Sequence, residues 1–206
     1  MAYGDVPQPR PFDLSRKSSS ELIALLSHSN GWWRRTAQRV LIERNDSADV
    51  APLQALARSS APNNAPMHAV WTLLGMRRMD TGFQAELLGH ANPAFRAWGV
   101  RAACETGKAP AEIFETVRGL ARDPSPDVRL EVTIASSRLS HPDALGLLFA
   151  ALAGGEDDPL IPHIAWENLH PRINAERRKV ATWLAGQGDV TTRGAPGGMQ
   201  RASAPP

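Results

Sequence analysis

Apolar residues recur at intervals of three and four along most of the chain, as in Leu22, Leu25 and Leu26 and again in Trp33, Ala37, Val40 and Leu41. That period gathers side chains on one stripe of an α-helix. No segment alternates apolar with polar residues over the length of a strand with β-branched enrichment, and short clusters of Pro, Gly, Asn and Asp separate the periodic stretches. The breaks predict eleven short helices, near 19–28, 32–44, 49–58, 65–77, 80–89, 93–105, 110–122, 126–138, 142–153, 159–170 and 172–185, and no strands. Several starts have a chemical reason. Pro52, Pro93, Pro110, Pro142 and Pro159 fall where a first-turn proline forfeits no hydrogen bond, and Ser47, Asn92 and Asp158 are placed to cap free amides. Gly107 and Gly154 follow periodic stretches, as helix-ending glycines do.

Self-similarity organises these helices. Arg34, His68, Arg96, Arg129 and His163 align the even-numbered ones at separations of 34, 28, 33 and 34 residues. The residue before each anchor is Trp33, Met67, Phe95, Val128 or Pro162, the third after it Ala37, Trp71, Gly99, Val132 or Trp166, and the sixth Val40, Leu74, Ala102, Ala135 or Leu169. Thirteen of these fifteen are apolar, where a composition of 42% apolar residues would supply about six, so the columns mark one buried face. A helix pair cannot bury such a face alone, and neighbouring pairs must stack over a shared core. The fold class is therefore all-α: a right-handed α-α superhelix, or solenoid, of about five helix pairs plus a terminal helix at 179–184. Trp33, Trp71, Val132 and Trp166 are its expected structural core.

The ends differ from the body. Residues 1–18 hold Pro7, Pro9 and Pro11 without periodicity, and the last residues, VTTRGAPGGMQRASAPP, are rich in Gly, Pro, Ala and Ser. The expected division is a flexible lead-in at 1–18, the solenoid at 19–186 and a disordered tail at 187–206. A sequence pI near 9.1 raises the question of nucleic-acid binding. Of the 23 basic and 21 acidic residues, Arg10, Arg16, Lys17, Arg193 and Arg201 lie in residues 1–18 and 190–206 with Asp5 and Asp13, leaving 18 basic and 19 acidic residues and a body at −1. A protein that neutralises several phosphates needs a concentrated basic face, which these totals do not demand, so no nucleic-acid partner is expected. No apolar run approaches the roughly 18–20 residues of a membrane span, and the first residues lack the charged-then-apolar order of a signal peptide.

Candidate chemistry is sparse. Trp32, Trp33, Arg34 and Arg35 form the most prominent run, a combination able to stack on bases or clamp phosphates. Helical geometry gives Trp33 to the core and puts Trp32 about 100° round, against the preceding helix or the chain leading in. Arg34, Arg96 and Arg129 read as a ladder between repeats, pairing with acids such as Asp127 or with turn carbonyls. Trp32, Arg34, Arg35, Arg96 and Arg129 are thus the candidate interaction or ladder residues. His163, Glu167 and His170 share a face but lack metalloprotease spacing, so no metal is assigned; His28, His68, His90 and His141 read as residues of helix ends and turns. Cys104 reads as a small buried residue in mid-helix, the paired glycines lack the lysine and hydroxyl of a phosphate loop, and the acidic pair Asp157 and Asp158 suits a helix start. No catalytic residue and no cofactor is assigned.

The stretch SSSELIALLSHSNGWWRRTAQRVLIERND, with the APMHAVWTLLGM, PSPDVRLEVTIAS and DDPLIPHIAWENLHP segments, resembles the HEAT-repeat region of large bacterial proteins of the planctomycete and verrucomicrobial type. Those are described as membrane-bound dehydrogenase-like or haem-binding proteins, in which a β-propeller precedes the HEAT repeats and a cytochrome c domain follows. The resemblance covers about residues 10–185 and is most specific at residues 30–39. It implies adjacent propeller and cytochrome c domains, or another protein, as partners, and an exported cell-envelope location for the parent; the compartment of this chain stays open. The chain has neither propeller sequence nor the Cys-x-x-Cys-His of covalent haem, so the resemblance assigns it the spacer segment alone. The expected function is a non-enzymatic HEAT-repeat scaffold or protein-interaction module. The alternative is a nucleic-acid-acting HEAT protein similar to the alkylpurine DNA glycosylases, which would bring Trp32, Arg34 and Arg35 to a DNA groove.

Overall fold

The computed structural model describes residues 13–105, 107–154 and 158–186. The expected tails at 1–12 and 187–206, and Asp157 of the acidic pair, lie outside the described residues. Among the described residues there are eleven α-helices and no strand: α1 (Ser19–Leu25), α2 (Gly31–Arg44), α3 (Val50–Ala57), α4 (Ala65–Gly75), α5 (Thr81–Leu88), α6 (Pro93–Ala103), α7 (Ala111–Gly119), α8 (Pro126–Arg138), α9 (Ala144–Gly154), α10 (Ile161–Leu169) and α11 (Ile173–Gly186).

Local chemistry sets the boundaries. Asn30 and Asn92 accept from the amides of Trp32 and Ala94, at 2.8 and 2.9 Å, and so begin α2 and α6. Ser18 and Glu21 form a reciprocal capping box at α1. Asp46, rather than Ser47, caps the 3-10 turn Ser47–Asp49 ahead of α3. Asp158 accepts from the amides of Leu160 and Ile161, which places the start of α10 two residues beyond Pro159 and puts Pro162 in its first turn. Asn45, in the left-handed region at φ 50°, ends α2.

Helices pair in sequence, α1 on α2, α3 on α4, α5 on α6 and α9 on α10, while the even helices stack, α2 on α4, α6 on α8 and α8 on α10. The protein is an all-α solenoid. The pairing at α5 and α6 depends on one glycine, because a Cβ at Gly99 would lie 3.1 Å from Leu87 Cβ and from the Leu88 amide nitrogen. Three apolar clusters run along the stack. The first joins Leu22, Leu41, Leu53, Leu73 and Phe83, the second Val100, Phe114, Val117, Val132 and Leu147, and the third Leu148, Phe149, Leu169 and Val180. α11 closes the last cluster by laying Trp183 flat on Phe149 at 4.4 Å. Residues 13–18, expected as lead-in, contribute to the core: Leu14 is buried in the first cluster and Arg44 holds the carbonyls of Ser15 and Lys17.

Trp166 overturns one expectation. It is 52% exposed, and the buried face of α10 is Ile161, Ala165 and Leu169. The last repeat is therefore out of register by one residue: with its anchor at Pro162 the separation from Arg129 becomes 33, equal to that between Arg96 and Arg129. Trp166 then stands about 100° from Ala165 and turns away from α8 and α9. Trp33 and Trp71 are half-buried against the first cluster, and Val132 is fully buried.

Candidate interaction groove

Helices α2, α6 and α8 begin after turns of one design. In the third repeat the guanidinium of Arg96 donates through Nη1 to the carbonyls of His90 and Ala91, at 2.8 and 2.9 Å, which are six and five residues upstream. Its Nε and Nη2 form a fork on the Asp123 carboxylate, each at 2.8 Å, which belongs to the turn of the next repeat. Arg129 repeats the turn half of the arrangement alone: its Nη1 holds the carbonyls of Asp123 and Pro124, and its buried Nε meets no acceptor among the described residues. Asp123 is thus both the acceptor for one repeat and the turn of the next. Burial pushes its carboxyl up, and the Arg96 fork, the Ser125 amide and the charges of Arg96 and Arg129 more than offset this, leaving it below the ordinary carboxylate range.

The first repeat keeps the plan with different chemistry. Arg34 Nη1 donates to the carbonyls of His28 and Ser29, and Arg34 Nε donates to His68 Nε2 at 3.2 Å. That leaves His68 Nδ1 to donate to Gln38 Oε1, 2.9 Å away, and fixes a neutral tautomer. Burial, then the positive charges of Arg34 and Arg35, hold the His68 pKa below its usual value. Arg34, Arg96 and Arg129 are therefore a ladder of stack and turn contacts. The acid in it is Asp123, not Asp127, and His68 lies buried inside α4 rather than at a helix end.

The missed residues had a signal in the sequence. His28, His90 and Asp123 stand six residues before Arg34, Arg96 and Arg129, and Asn30, Asn92 and Ser125 stand four before them. The histidines add a second function. The Nδ1 atoms of His28, His90 and His141 accept from the amides of Asn30, Asn92 and Asp143, and the rings of His90 and His141 stack on Phe95 and Phe114 at 4.3 and 3.6 Å.

Beside the ladder, α2 and α4 border an open groove of about 850 Å³, walled by Arg34, Arg35, Gln38, Arg39, Ile42 and Trp71 among others. Arg35 and Arg39 are exposed. Arg39 reaches Glu43 at 3.6 Å, and Arg35 has no hydrogen bond or ion pair among the described residues. Trp71 meets Trp98 of α6 edge-on at 5.5 Å, and Arg101 lies over the Trp98 ring at 4.7 Å, which extends the aromatic wall into the third repeat. Trp32 is not part of this groove. It is 45% exposed, packs edge-on to Trp33 at 5.2 Å and lines a smaller hollow with Leu14 and Ser15, so the structure separates it from Arg34 and Arg35.

Among the described residues no three His, Cys, Asp or Glu side chains gather as a metal site, and His163, Glu167 and His170 are exposed. Cys104 caps the end of α6 instead of sitting in mid-helix; its thiol donates to the Val100 carbonyl, and burial pushes its pKa up to about 12. A second hollow, of about 920 Å³ near the start of α11, is lined by Arg177 and Arg178, but its Arg172 and Lys179 are both taken by Glu176. Among the described residues no helix is long and apolar enough to cross a membrane.

The repeating turn, the ladder and the paired helices converge with one comparison. Residues 82–166 match the family model of HEAT repeats. That HEAT-repeat region runs from α5 into α10 and includes the Arg96, Asp123 and Arg129 rungs. No curated protein and no solved structure matches the chain. Of the resemblance to the propeller–HEAT–cytochrome c proteins, the comparisons support the HEAT part alone.

Proposed function

We propose that this chain is a non-enzymatic HEAT-repeat docking module, with the α2 and α4 groove as the surface that receives a protein partner. The observation that carries this reading is a division of labour among arginines on neighbouring helix positions. Arg34 is held by two carbonyls and His68, whereas Arg35, the next residue, projects into the groove uncommitted to the stack. A groove between stacked helices presents a long surface that a peptide segment can follow, and an exposed arginine beside a half-buried tryptophan is the pairing enriched where partners bind most strongly. Arg34 and Arg96 are engaged across repeats, with His68 and Asp123, which suits a scaffold.

The test is a displayed random-peptide library selected on the full chain, followed by hydrogen-exchange footprinting of the recovered peptides. Protection concentrated on α2 and α4, and lost in Arg35→Ala with Trp71→Ala, is the expected result. Peptides that protect the odd helices instead, or bind the double variant unchanged, would refute the groove as the docking surface.

A further inference from the structure

Charge in the first three repeats is sorted by layer. The even helices α2, α4 and α6 carry Arg34, Arg35, Arg39, Arg44, Arg96 and Arg101 against Glu43, and of these Arg96 and Arg101 are paired with Asp123 and Glu131 of the next repeat, which leaves the excess on α2; α1, α3 and α5 carry Glu21 and Glu86, the latter paired with Arg58 just after α3. The solenoid body as a whole is nevertheless balanced, at −1 over residues 19–189. A long polyanion would meet that whole balance; a short anionic segment would meet only the local excess.

Resting on the docking reading above, we infer that the α2 and α4 groove takes a short acidic peptide segment in extended form, with carboxylates at alternate positions followed by an apolar side chain. Two observations, joined by the geometry of an extended strand, specify this occupant. Arg35 and Arg39 are four residues apart on α2, so their side chains leave the helix one turn, about 6 Å, from each other. In an extended strand, residues two apart point the same way at a separation of about 6.6 Å, so a Glu-x-Glu pair fits both guanidinium groups. Ile42 continues the same stripe at the i+7 position, and Trp71 faces it across the groove from α4, which provides an apolar seat for the side chain two residues further along.

The neighbouring groups agree with that assignment. Arg35 has no acid to displace, Arg39 gives up only an exposed contact at 3.6 Å to Glu43, and Gln38 lies between them as a neutral hydrogen-bonding side chain. Arg34 adds positive potential at the head of the groove without leaving its turn, and His68 is kept neutral beneath it. Glu43 is the one acid on the groove wall, and it stands at the end beyond Arg39, which sets a side on which the peptide's carboxylates should not lie.

The experiment uses the full chain and a fluorescein-labelled peptide, Gly-Glu-Ser-Glu-Ser-Leu-Gly, read by fluorescence anisotropy, with a version carrying Lys for Glu and a single-stranded oligodeoxythymidylate as competitors. The expected result is binding on the order of 10–100 μM at low salt, weakened several-fold as screening increases, and no binding of the lysine peptide. Arg35→Glu with Arg39→Glu should weaken it at least tenfold, and the milder Arg35→Gln should weaken it about threefold, while Arg58→Gln, whose partner Glu86 lies on α5 in the odd layer, should leave it unchanged. Circular dichroism of each variant checks that the helices persist. Equal binding of the acidic and lysine peptides, or an unchanged affinity in both Arg35 variants, overturns the inference, as does displacement of the peptide by the oligonucleotide at lower concentration than by unlabelled peptide. If library-derived neutral peptides still footprint on α2 and α4 in that case, the docking reading stands and only the acidic occupant falls; if they do not, both fall.

Discussion

Arg96→Met removes the guanidinium fork from the ladder and keeps most of the aliphatic stem, so its cost isolates the polar contacts. Arg96 and Asp123 expose 14% and 4% of their side chains, and the two forked bonds at 2.8 Å join groups that water hardly reaches. A hydrogen bond to a charged group contributes roughly 1.5–3 kcal/mol, and removing one partner of a buried pair leaves the other desolvated, for a total of about 3–5 kcal/mol. The retained Ser125 amide at 2.8 Å and the charge of Arg129 place the expectation in the lower part of that range. The double variant Arg96→Met with Asp123→Asn should recover about half of the loss, since no charge is then stranded.

The pH dependence has a definite sign. In the wild type Asp123 titrates below the ordinary carboxylate range, so its contribution is present above pH 4 and is lost as the pH falls through the lowered value. In Arg96→Met the largest remaining influence is burial, which raises the carboxyl; that variant should gain stability as the pH falls and Asp123 takes up its proton. The gap between the two proteins should therefore narrow between pH 7 and pH 4. Urea unfolding followed by circular dichroism measures it, with hydrogen exchange on α6 and α8 as a local readout because repeat arrays need not unfold as one unit. A cost below about 1 kcal/mol at pH 7, or a gap that does not change with pH, would refute this account of the ladder.

The His68 rung should respond in the other pH range: its neutral form contributes stability above its unfolded pKa of about 6.5, lost as the pH falls from there through the lowered folded value, so α2 and α4 exchange should quicken between pH 7 and 5 and not in His68→Gln. Cys104 should resist thiol reagents in the folded chain at pH 8 and react at once in denaturant, because its thiol is buried and its pKa is raised to about 12; prompt native reactivity would contradict the packing of α6. Trp166→Ala should cost under about 1 kcal/mol and Trp71→Ala about 2 kcal/mol, both short of the roughly 3–5 kcal/mol of a fully buried aromatic, as urea midpoints would show. Gly99→Ala should destabilise by about 1–3 kcal/mol, since the new methyl meets the α5 backbone at 3.1 Å; an unchanged midpoint would mean that α5 and α6 slide apart freely.

Helices such as α2, α6 and α7 are legible because each buries one stripe, whose 3.6-residue period survives any choice of apolar residue, whereas α4 and α9 are buried on most sides and are marked by the breaks that flank them. Their relation to one another was less so. The period puts Trp166 in the core because a large aromatic falls on a periodic column, yet periodicity cannot tell adjacent positions apart when both Ala165 and Trp166 are apolar, and Trp166 is exposed. The face that packs on α8 and α9 is Ile161, Ala165 and Leu169, with the small Ala165 at the position one before Trp166. Asp123 is hidden in the sequence for a different reason. It lies in a loop, where hydrophobic pattern says nothing, and the same place in the first and third repeats is a histidine, so the column has no single chemistry to recognise. The groove was invisible in the sequence because its two walls, Arg35 with Arg39 and Trp71, come from different repeats about 34 residues apart.

The separation of structural from docking arginines follows from helical geometry. A side chain at the anchor position of an even helix looks back over its own N-terminal turn, since side chains lean towards the start of a helix, and the two carbonyls five and six residues upstream lie within reach of one guanidinium nitrogen. Its remaining nitrogens then face the next repeat, where only a buried acceptor such as Asp123 or His68 can meet them. One residue further on, a rotation of about 100° carries Arg35 off that line and over the space between α2 and α4. The same residue type thus does two jobs, and position decides which: the fork that locks repeats is desolvated and bound to acceptors within the stack, while the one beside it stays hydrated with its charge available. Loss of an anchor arginine therefore acts through stability and is felt between repeats, whereas loss of Arg35 acts through the potential of the groove and leaves the stack unchanged.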